Sequence, residues 1–236
     1  MTALDGLSSA YDAWLQAGDR PRPFVTLSYA QSLDGSLTRQ QGRPTALSGP
    51  QAIQLTHHVR AFHDAILIGS GTLLADDPQL TARDVPGDQP QPVVLDRRLR
   101  FPSDAKLLQH PNTPWILCDT TADADRAAQL SALGCEVVHT DTFDLLAVLA
   151  WLNQRGIRHL MVEGGGEVLT SFLRAGLADY AVVTIAPRLL GGYNAIRSPL
   201  ASEADRMQTP TLTNVQSYSL GPDLIVAGRI EASPIT

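Results

Sequence analysis

The alternation of short apolar segments with helix-like segments is the feature that most limits how this chain can fold. Segments with the composition of buried strands begin at residues 24, 64, 91, 113, 135, 157 and 179. Between several of them, apolar residues recur at helical spacing, and these helix-like segments span 48–62, 122–134, 143–156 and 167–176. Ser48 is the expected cap of the first segment, with Pro50 in its first turn, and glycine is expected to end the other three, at Gly134, Gly156 and Gly176. Strands that alternate with helices form a sheet with helices on both faces, so the pattern predicts an α/β fold.

The two ends of the chain depart from this alternation. Residues 7–18 have the amphipathic pattern of a short helix, and we treat residues 1–21 as an N-terminal extension. From residue 180 onward, short strands alternate with turns without clear helices between them, which predicts antiparallel strands that complete a mixed sheet. No repeat or linker interrupts the rest, so residues 22–236 are predicted to form one domain.

Charge and hydropathy exclude several classes of protein. The net charge of −6 argues against a nucleic-acid or anionic-membrane binder, although it leaves room for a small local anion site. No apolar run approaches the roughly 20 residues that span a bilayer. The N-terminus has no basic segment leading into an apolar one, so we expect no signal peptide and a cytoplasmic protein.

The basic residues and the cysteines argue against several kinds of catalytic and binding site. Of the 18 basic residues, 17 are arginines and one is Lys106, which has no glycine-rich loop beside it. This removes the P-loop pattern and disfavours a Schiff-base lysine, so any phosphate must be held by arginine or by backbone N–H groups. Cys118 and Cys135 are too far apart for a metal knuckle, and we expect both to be reduced and structural.

Two predicted strands end in glycine-rich turns, IGSGT at 68–72 and VEGGG at 162–166. In open α/β sheets, ligands gather beyond the carboxyl ends of strands, where a helix N-terminus offers N–H groups to phosphate. The turns therefore indicate either a dinucleotide site or tight turns without a ligand. Neither has the third glycine of G-x-G-x-x-G, so a nucleotide site here is not of the Rossmann type.

Several charged residues have both a functional and a structural interpretation. The aspartates of ADDP, Asp76 and Asp77, are either site carboxylates or turn formers before a proline. Arg60 and Arg83 are either ligands or solvated cations, and the DRRLR run at 96–100 either binds a phosphate or forms an exposed turn. The histidines of HHVRAFH do not match a zinc motif, and we expect all six histidines to be structural and the protein to hold no metal.

The order of motifs carries a resemblance to a known family. VTLSYAQSLDG is followed by LSGP, HVRAFHDAILIGSGTLLADDPQLTAR, PVVLDRRLRFP, LMVEGGGEVLTSFL and IAPRLLGG. Over roughly residues 22–230, this series resembles the pyrimidine reductases of riboflavin biosynthesis, the reductase domain at the C-terminus of bacterial RibD enzymes. The same series of motifs is also similar to that of the stand-alone fungal and archaeal reductases.

The resemblance implies a fold and an activity. The fold is dihydrofolate-reductase-like, with three layers and a mixed, mostly parallel central sheet flanked by helices, and the protein is a homodimer. The activity is NADPH-dependent reduction of the ribosylamino side chain of a pyrimidine 5′-phosphate to the ribitylamino product. Hydride adds to C1′ of the opened sugar, which presents an imine.

The resemblance also assigns residues to a site. Asp76 and Glu163 are the catalytic candidates; Asp76 lies beside the nicotinamide and either orients the sugar or assists proton transfer. Glu163 also contacts substrate, together with Arg60, Leu80 and Arg83, and the two arginines neutralise the sugar phosphate. The expected cofactor contacts are Ala30, Gln31, Ala46, Gly69, Thr72, Asp76, Arg97, Gly164, Gly165, Gly166, Glu167 and Val168. Among them, the charge of Arg97 favours the 2′-phosphate of NADPH.

Two departures from the bacterial pattern bear on the substrate. Many bifunctional enzymes have lysine where this chain has Ser28, and their usual tryptophan is replaced by Ala46. Both changes favour the fungal and archaeal type of enzyme, which reduces the diamino-pyrimidinone before deamination. The bacterial type reduces the uracil after deamination. The alternatives outside the pathway are a dihydrofolate-reductase-like enzyme acting on another pteridine or pyrimidine, and a non-catalytic nucleotide-binding relative.

Overall fold

A computed structural model describes residues 2–18, 20–140, 144–197 and 209–233. The helices in this part of the chain are α1 (Ala3–Gln16), α2 (Pro50–Phe62), α3 (Ser70–Asp76), α4 (Ala124–Ala132), α5 (Leu145–Gln154) and α6 (Gly166–Arg174), with a short 3₁₀ helix at Lys106–Gln109. The strands are β1 (Phe24–Ser32), β2 (Ser36–Thr38), β3 (Ala65–Gly69), β4 (Gln91–Leu95), β5 (Trp115–Asp119), β6 (Glu136–Thr140), β7 (His159–Val162), β8 (Tyr180–Ala186), β9 (Tyr193–Asn194), β10 (Thr209–Leu220) and β11 (Asp223–Ser233).

The described strands form one large sheet and one small one. The large sheet has the order β10-β11-β8-β1-β7-β3-β4-β5-β6, and its pairs from β8 through β6 are parallel. Strands β11 and β10 add to β8 in antiparallel fashion, which confirms the predicted mixed, mostly parallel sheet. Strands β2 and β9 form a separate antiparallel pair.

Two apolar clusters cover the two faces of the sheet and give the predicted three layers. On one face, helices α1, α2 and α4 pack through residues such as Leu7, Val59 and Leu130. On the other, α5 and α6 pack through Leu149 and Phe172. Strand β3 is buried along its whole length, as expected for a strand covered on both sides.

Glycine ends three helices as the sequence predicts, but one predicted helix start is wrong. Gly134, Gly156 and Gly176 follow α4, α5 and α6 with φ of 93°, 87° and 62°, a backbone conformation that glycine adopts without strain. Ser48 does not cap α2, because the N-cap is Gly49 and makes no side-chain hydrogen bond. Pro50 occupies the first turn as expected, where its missing N–H has no intrahelical acceptor.

The C-terminal strands are longer than predicted. Strands β10 and β11 have 12 and 11 residues and form a hairpin with a register shift between Thr213 and Gln216. Val215 and Leu224 are exposed at 51% and 40%. The sequence does not show this length because the outermost strand alternates exposed and half-buried positions and includes polar residues on both faces.

The N-terminal extension packs on the rest of the chain. Helix α1 contacts β8, β10 and β11, and it buries Ala3, Leu7 and Ala10 almost completely. Thr2 and Asp5 form a reciprocal capping box at its start.

The described residues contain no disulfide, because both cysteines are free. Cys118 and Cys135 are buried free thiols, and burial raises the pKa of each to about 11. Within the described ranges, no helix has the length and hydropathy to cross a membrane. The same residues contain no group of three or more histidine, cysteine or acidic side chains arranged to hold a metal ion.

Candidate active site

A cleft of about 720 Å³ opens at the carboxyl ends of the parallel strands β1, β3, β4 and β7. Its wall includes residues 28–30 of β1, Gly69 at the end of β3, Leu95 at the end of β4 and Glu163 just after β7. This is the edge at which open α/β sheets bind ligands, and the volume lies in the range of small-molecule and cofactor sites.

The two glycine-rich turns meet in this cleft because β3 and β7 are neighbours in the sheet. The backbone N–H of Gly165 donates a hydrogen bond to the Thr72 hydroxyl oxygen over 2.8 Å, which joins the turns directly. A Cβ atom added at Gly164 would lie 2.6 Å from Val168 Cβ, and one at Gly69 would lie 2.8 Å from Val168 Cγ2. Only glycine leaves room for this close approach, so the turns form a cradle of backbone atoms.

Helix α6 begins at this cradle, and its first residues, Gly166, Glu167 and Val168, line the cleft. Glu167 lies in its first turn and pairs with Arg197, whose Nη1 is 2.7 Å from Glu167 Oε1. The Arg197 guanidinium lies 4.3 Å from the centre of the Tyr193 ring. A helix N-terminus, a backbone cradle and a lining arginine together suit a ligand that carries phosphate groups.

Asp76 is the last residue of α3 and lines the cleft. Its side chain reaches solvent through the open cleft, yet the protein atoms around the carboxylate raise its pKa by burial. No hydrogen bond or ion pair to the Asp76 carboxylate is found among the described residues. The carboxylate is therefore partly solvated, and its pKa lies above the ordinary value because of the protein atoms packed around it.

The segment after Asp76 has an unusual backbone. Asp77, Leu80 and Asp84 have φ of 41°, 54° and 58°, which non-glycine residues seldom adopt. Asp77 is fixed to the 3₁₀ helix, since its carboxylate accepts from the backbone N–H of Lys106 over 2.8 Å and lies 3.2 Å from the Lys106 ammonium. Such conformations cost roughly 1–3 kcal/mol each and cluster at functional sites.

Glu163 forms a two-bonded ion pair with Arg60 of α2. Arg60 Nε donates to Oε1 over 2.6 Å and Nη2 donates to Oε2 over 2.7 Å. Both side chains are mostly buried, at 13% and 15% exposure. Arg60 Nη1 also donates to the carbonyl of Thr81 over 2.9 Å, so one guanidinium joins α2, the end of β7 and the segment that follows Asp76.

The paired strands β2 and β9 cover one side of the cleft, and Asp34 fixes them. Its carboxylate accepts from the backbone N–H groups of Leu190 and Gly191 over 2.9 Å and 2.7 Å. It also accepts from the Ser32 and Ser36 hydroxyls, and the Ser32 bond is the largest of the causes that hold the pKa of Asp34 well below its usual range. Asp34, in the turn between β1 and β2, thus also holds the loop at Leu190 and Gly191 in place.

The structure brings most of the predicted site residues together. The cleft is lined by Ala30, Ala46, Gly69, Thr72, Asp76, Glu163, Gly164, Gly165, Gly166, Glu167 and Val168. The departures at Ser28 and Ala46 both lie in this lining.

Five predicted residues lie outside the cleft lining. Gln31 is on β1 opposite Ile185, and Arg60 lies behind Glu163. Leu80 is buried in the core below the loop, at 1% exposure. Arg83 is exposed and borders a separate pocket of about 330 Å³. Arg97 is exposed and lies near Asp119. The pKa of the Asp119 carboxyl is lowered mainly by hydrogen bonds from Thr121, and the charge of Arg97 makes a smaller contribution.

Several lining residues were not predicted. Arg100 lines the cleft and donates to the Ser70 hydroxyl over 2.6 Å, and the DRRLR run contained the signal for it. Arg43, Ile53, Tyr193 and Arg197 also line the cleft. Tyr193 lies on β9, and Arg43 and Arg197 lie in irregular segments near the β2–β9 pair, a pair too short to leave a periodic pattern in the sequence.

Comparison with known proteins agrees with this geometry. A sequence model of the RibD C-terminal domain matches residues 23–226. The RibD riboflavin biosynthesis protein of Aquifex aeolicus is 36% identical over 211 residues, which cover 87% of this chain and 57% of that protein. A 2,5-diamino-6-ribosylamino-4(3H)-pyrimidinone 5′-phosphate reductase of Methanothermobacter thermautotrophicus is 37% identical over 210 residues, which cover 87% of this chain and 97% of that protein.

The chain therefore spans little more than half of its RibD relative but nearly all of the archaeal reductase. Among solved structures, Acinetobacter baumannii RibD superposes with a TM-score of 0.79 at 28% identity. That superposition covers 93% of this chain and 61% of the RibD chain, so the likeness extends over almost the whole fold.

Proposed function

The chain belongs to the RibD C-terminal domain family, and on this basis we propose that it is an NADPH-dependent reductase of a ribosylamino-pyrimidine 5′-phosphate in riboflavin biosynthesis. One observation carries the proposal. The two glycine-rich turns, joined through Thr72 and Gly165, lie in the same cleft as the carboxylates of Asp76 and Glu163. A phosphate cradle beside two carboxylates suits a reductase that binds a dinucleotide and a polar substrate.

The residues of the cleft fit a dinucleotide cofactor. The backbone N–H groups of Gly164, Gly166 and Glu167 would hold its diphosphate, whereas the N–H of Gly165 already donates to Thr72. Thr72 accepts from Gly165 through its oxygen, which leaves the hydroxyl hydrogen for a ligand. Arg97 stays the predicted contact at the adenosine end, and Arg100 on the cleft wall offers a second cation there. When bound, NADPH supplies the hydride.

Asp76 and Glu163 would act on the substrate in different ways. Reduction of an imine carbon also requires a proton on the neighbouring nitrogen. Asp76 suits this step because burial raises its pKa and no partner is found for it among the described residues. Glu163 has both oxygens bonded to Arg60 and keeps further lone pairs toward the cleft, so it would accept hydrogen bonds from sugar hydroxyls or amino groups.

The proposed substrate is the diamino-pyrimidinone, before deamination. The matched archaeal relative is named for that compound, and Ser28 and Ala46 lie in the cleft lining where the bacterial pattern has lysine and tryptophan. Reduction of the deaminated uracil is the alternative within the pathway.

The test follows NADPH absorbance with each pyrimidine made in situ. GTP cyclohydrolase II supplies the diamino compound, with or without a separate deaminase. Oxidation without deaminase supports the proposed substrate, and oxidation only with deaminase replaces it by the uracil. NADPH binding without oxidation in either case contradicts the reductase proposal and favours another pteridine or pyrimidine substrate, or a non-catalytic role.

We also propose that residues 22–236 form the catalytic domain, that the protein is a homodimer and that it is cytoplasmic. The extension buries Ala3, Leu7 and Ala10 against the hairpin, so its removal should lower stability more than catalysis. Strand β10 is an edge of the described sheet, and Val215 on it is half exposed, which suits a contact between copies. Light scattering of the full chain and of residues 22–236, with fractionation of source cells, tests these points.

A further inference from the structure

We propose that Arg197 binds the diphosphate of the cofactor and that Tyr193 positions its guanidinium. The inference rests on the proposed function and deepens it, because the family resemblance assigns neither residue to the site. It follows from where Arg197 lies, from the contacts that fix it and from the hydrogen-bond donors that these contacts leave free.

Arg197 lies against the part of the cradle whose backbone N–H groups would meet the cofactor. A Cβ atom added at Gly166 would lie 2.8 Å from Arg197 Cγ and 2.8 Å from the carbonyl oxygen of Asn194. The segment that carries Arg197 therefore packs directly on the first residue of α6, and only glycine at position 166 leaves room for it. Because the N–H groups of Gly166 and Glu167 would hold the diphosphate, the guanidinium beside Glu167 lies next to the same phosphates.

The backbone of this segment is fixed to two other parts of the fold. The N–H of Arg197 donates to the Thr170 hydroxyl of α6 over 3.1 Å, and the N–H of Ala195 donates to the Gly35 carbonyl over 2.9 Å. Tyr193 lies on β9, which pairs with β2. The arginine is thus held in place before a ligand arrives, which reduces the entropy lost on binding.

Tyr193 fixes the guanidinium as well as the backbone. The centre of its ring lies 4.3 Å from the guanidinium carbon of Arg197, well within the range of a cation–π contact. Its hydroxyl accepts from Arg197 Nη2 over 2.8 Å and donates to Gln41 Oε1 over 2.6 Å, so the hydroxyl is itself held by a second residue. Ring and hydroxyl together set the orientation of the guanidinium.

The guanidinium keeps donors for a ligand. Of the five N–H donors of an arginine, one on Nη1 is bonded to Glu167 Oε1 over 2.7 Å and one on Nη2 is bonded to the Tyr193 hydroxyl. The N–H on Nε and the second N–H on each Nη have no acceptor among the described residues. A planar fork with free donors suits diphosphate oxygens, which arginine binds through paired, charge-assisted hydrogen bonds.

The pair with Glu167 does not prevent this role. Of the two side chains, 30% of Arg197 and 78% of Glu167 are exposed, and an ion pair this open to water contributes little free energy. The carboxylate occupies one donor and places a negative charge beside the expected phosphates. It therefore weakens the binding of an anion at this end of the cleft.

The test compares the wild type with Arg197→Gln in titrations with NADPH, NADH, ADP-ribose and adenosine 2′-monophosphate. The first three ligands contain the diphosphate, and the last contains only the phosphate that distinguishes NADPH. We expect Kd to rise roughly 10- to 100-fold, by the same factor, for the first three ligands, because each loses the same charge-assisted bonds. Kd for adenosine 2′-monophosphate should not change. A loss confined to NADPH and adenosine 2′-monophosphate overturns the inference, as does an unchanged Kd for all four.

Arg174→Gln is the matched control. Arg174 is exposed at the last residue of α6, so its substitution removes the same unit of charge from the same helix, but it does not line the cleft. Kd for the four ligands should stay that of the wild type. An equal rise in Kd in both variants overturns the inference, since net charge would then explain the effect. Arg197→Lys keeps the charge without the planar fork and should recover only part of the affinity.

A double-mutant cycle tests the role of Tyr193. Tyr193→Phe removes the hydroxyl that accepts from Arg197, so it should raise the Kd of NADPH when Arg197 is present and leave it unchanged in the Arg197→Gln background. A rise of the same size in both backgrounds would mean that Tyr193 acts only on the surrounding structure, against the positioning role.

Glu167→Gln tests the role of the carboxylate. The variant removes a negative charge beside the first turn of α6, and we expect the Kd of NADPH to fall roughly two- to fivefold. A higher Kd would mean that the guanidinium depends on Glu167 for its position, against the inference.

These titrations need no turnover, so they separate the inference from the proposed function. A wild type that binds NADPH without oxidising a pyrimidine refutes the reductase and leaves the comparison with Arg197→Gln intact. A wild type that binds no nucleotide refutes the cofactor, and calorimetry with inorganic pyrophosphate then decides. Pyrophosphate binding that Arg197→Gln weakens supports the phosphate contact, whereas no binding, or binding that the variant leaves unchanged, overturns it.

Discussion

The contact between Gly69 and Val168 allows one substitution to be worked through in detail. Gly69 has φ of −90° and ψ of 158°, a backbone conformation open to any residue, so Gly69→Ala adds no backbone strain. The new Cβ would lie 2.8 Å from Val168 Cγ2, whereas carbon atoms normally approach to about 3.5–4.0 Å. Val168 is β-branched and within a helix, so its side chain cannot rotate away cheaply.

The expected cost has two parts. Overpacking of this kind costs about 1–3 kcal/mol, and replacing glycine by alanine at the N-cap of α3 adds roughly 0.5–1 kcal/mol. Val168→Ala removes Cγ2, the one atom found close to the new Cβ. In this background Gly69→Ala should lose only the free energy that comes from the weaker N-cap, without the contribution from overpacking. The two substitutions should therefore couple by about 1–3 kcal/mol.

Urea unfolding of the four proteins of this cycle measures the coupling. Gly71→Ala is the control, because nothing lies within 4 Å of its added Cβ and it is in the first turn of α3. It should be neutral or stabilise by roughly 0.5–1 kcal/mol. If Gly69→Ala costs the same with Val168 as with alanine at position 168, the steric argument for the cradle is wrong.

Three further predictions concern titration and the cover of the cleft. Asp76→Asn should lower turnover roughly 10²–10⁴-fold, and wild-type turnover would remove Asp76 from the mechanism. Because the pKa of Asp76 is raised in the folded state, its ionised form weakens folding, so this variant should be the more stable one at neutral pH, and the difference should vanish as the pH falls below 3.8. Burial lowers the pKa of His63 from 6.5 to about 4, so the wild type should lose up to about 3 kcal/mol of stability as the pH falls between these values. Urea unfolding of His63→Gln across this range should show a smaller slope, and an identical slope would contradict the buried neutral imidazole. Asp34→Asn should weaken NADPH binding without loss of secondary structure, since an amide cannot accept all the bonds that fix the cover; unchanged affinity in a fluorescence titration would mean that the cover does not shape the site.

Sequence patterns predicted the elements of the fold well where apolar periodicity was strong. Strand β3, buried along its length, and helix α5, ended by Gly156, both follow from local composition. The start of α2 did not, because Ser48 and Gly49 are both plausible caps and only the backbone geometry selects the second. The length of the β10–β11 hairpin also escaped prediction, since an edge hairpin with two half-exposed faces has a weak pattern.

The candidate site was predicted only in part. The glycine-rich turns were predicted because each is a compact motif at a strand end, whereas Asp76 was assigned to the site by the family resemblance. Arg60 was identified as a charged residue of interest, but the sequence could not show that its partner is Glu163, which lies 103 positions away. Tyr193 and Arg197 were missed for the same reason, since their approach to the cleft depends on the pairing of β9 with β2.

The central place of β1 in the sheet has a consequence for how the protein is made. Phe24 pairs with His159 on one side, and Thr26 pairs with Tyr180 on the other. A ribosome that adds about 5–20 residues per second needs on the order of ten seconds to supply either neighbour after β1 has emerged. During that time an apolar strand has both edges free, which is the condition that favours aggregation.

The nascent chain should therefore depend on chaperones, and early chain termination should yield insoluble fragments. The glycine-rich cradle at the end of β7 cannot stabilise these fragments, because it exists only once two thirds of the chain has been translated.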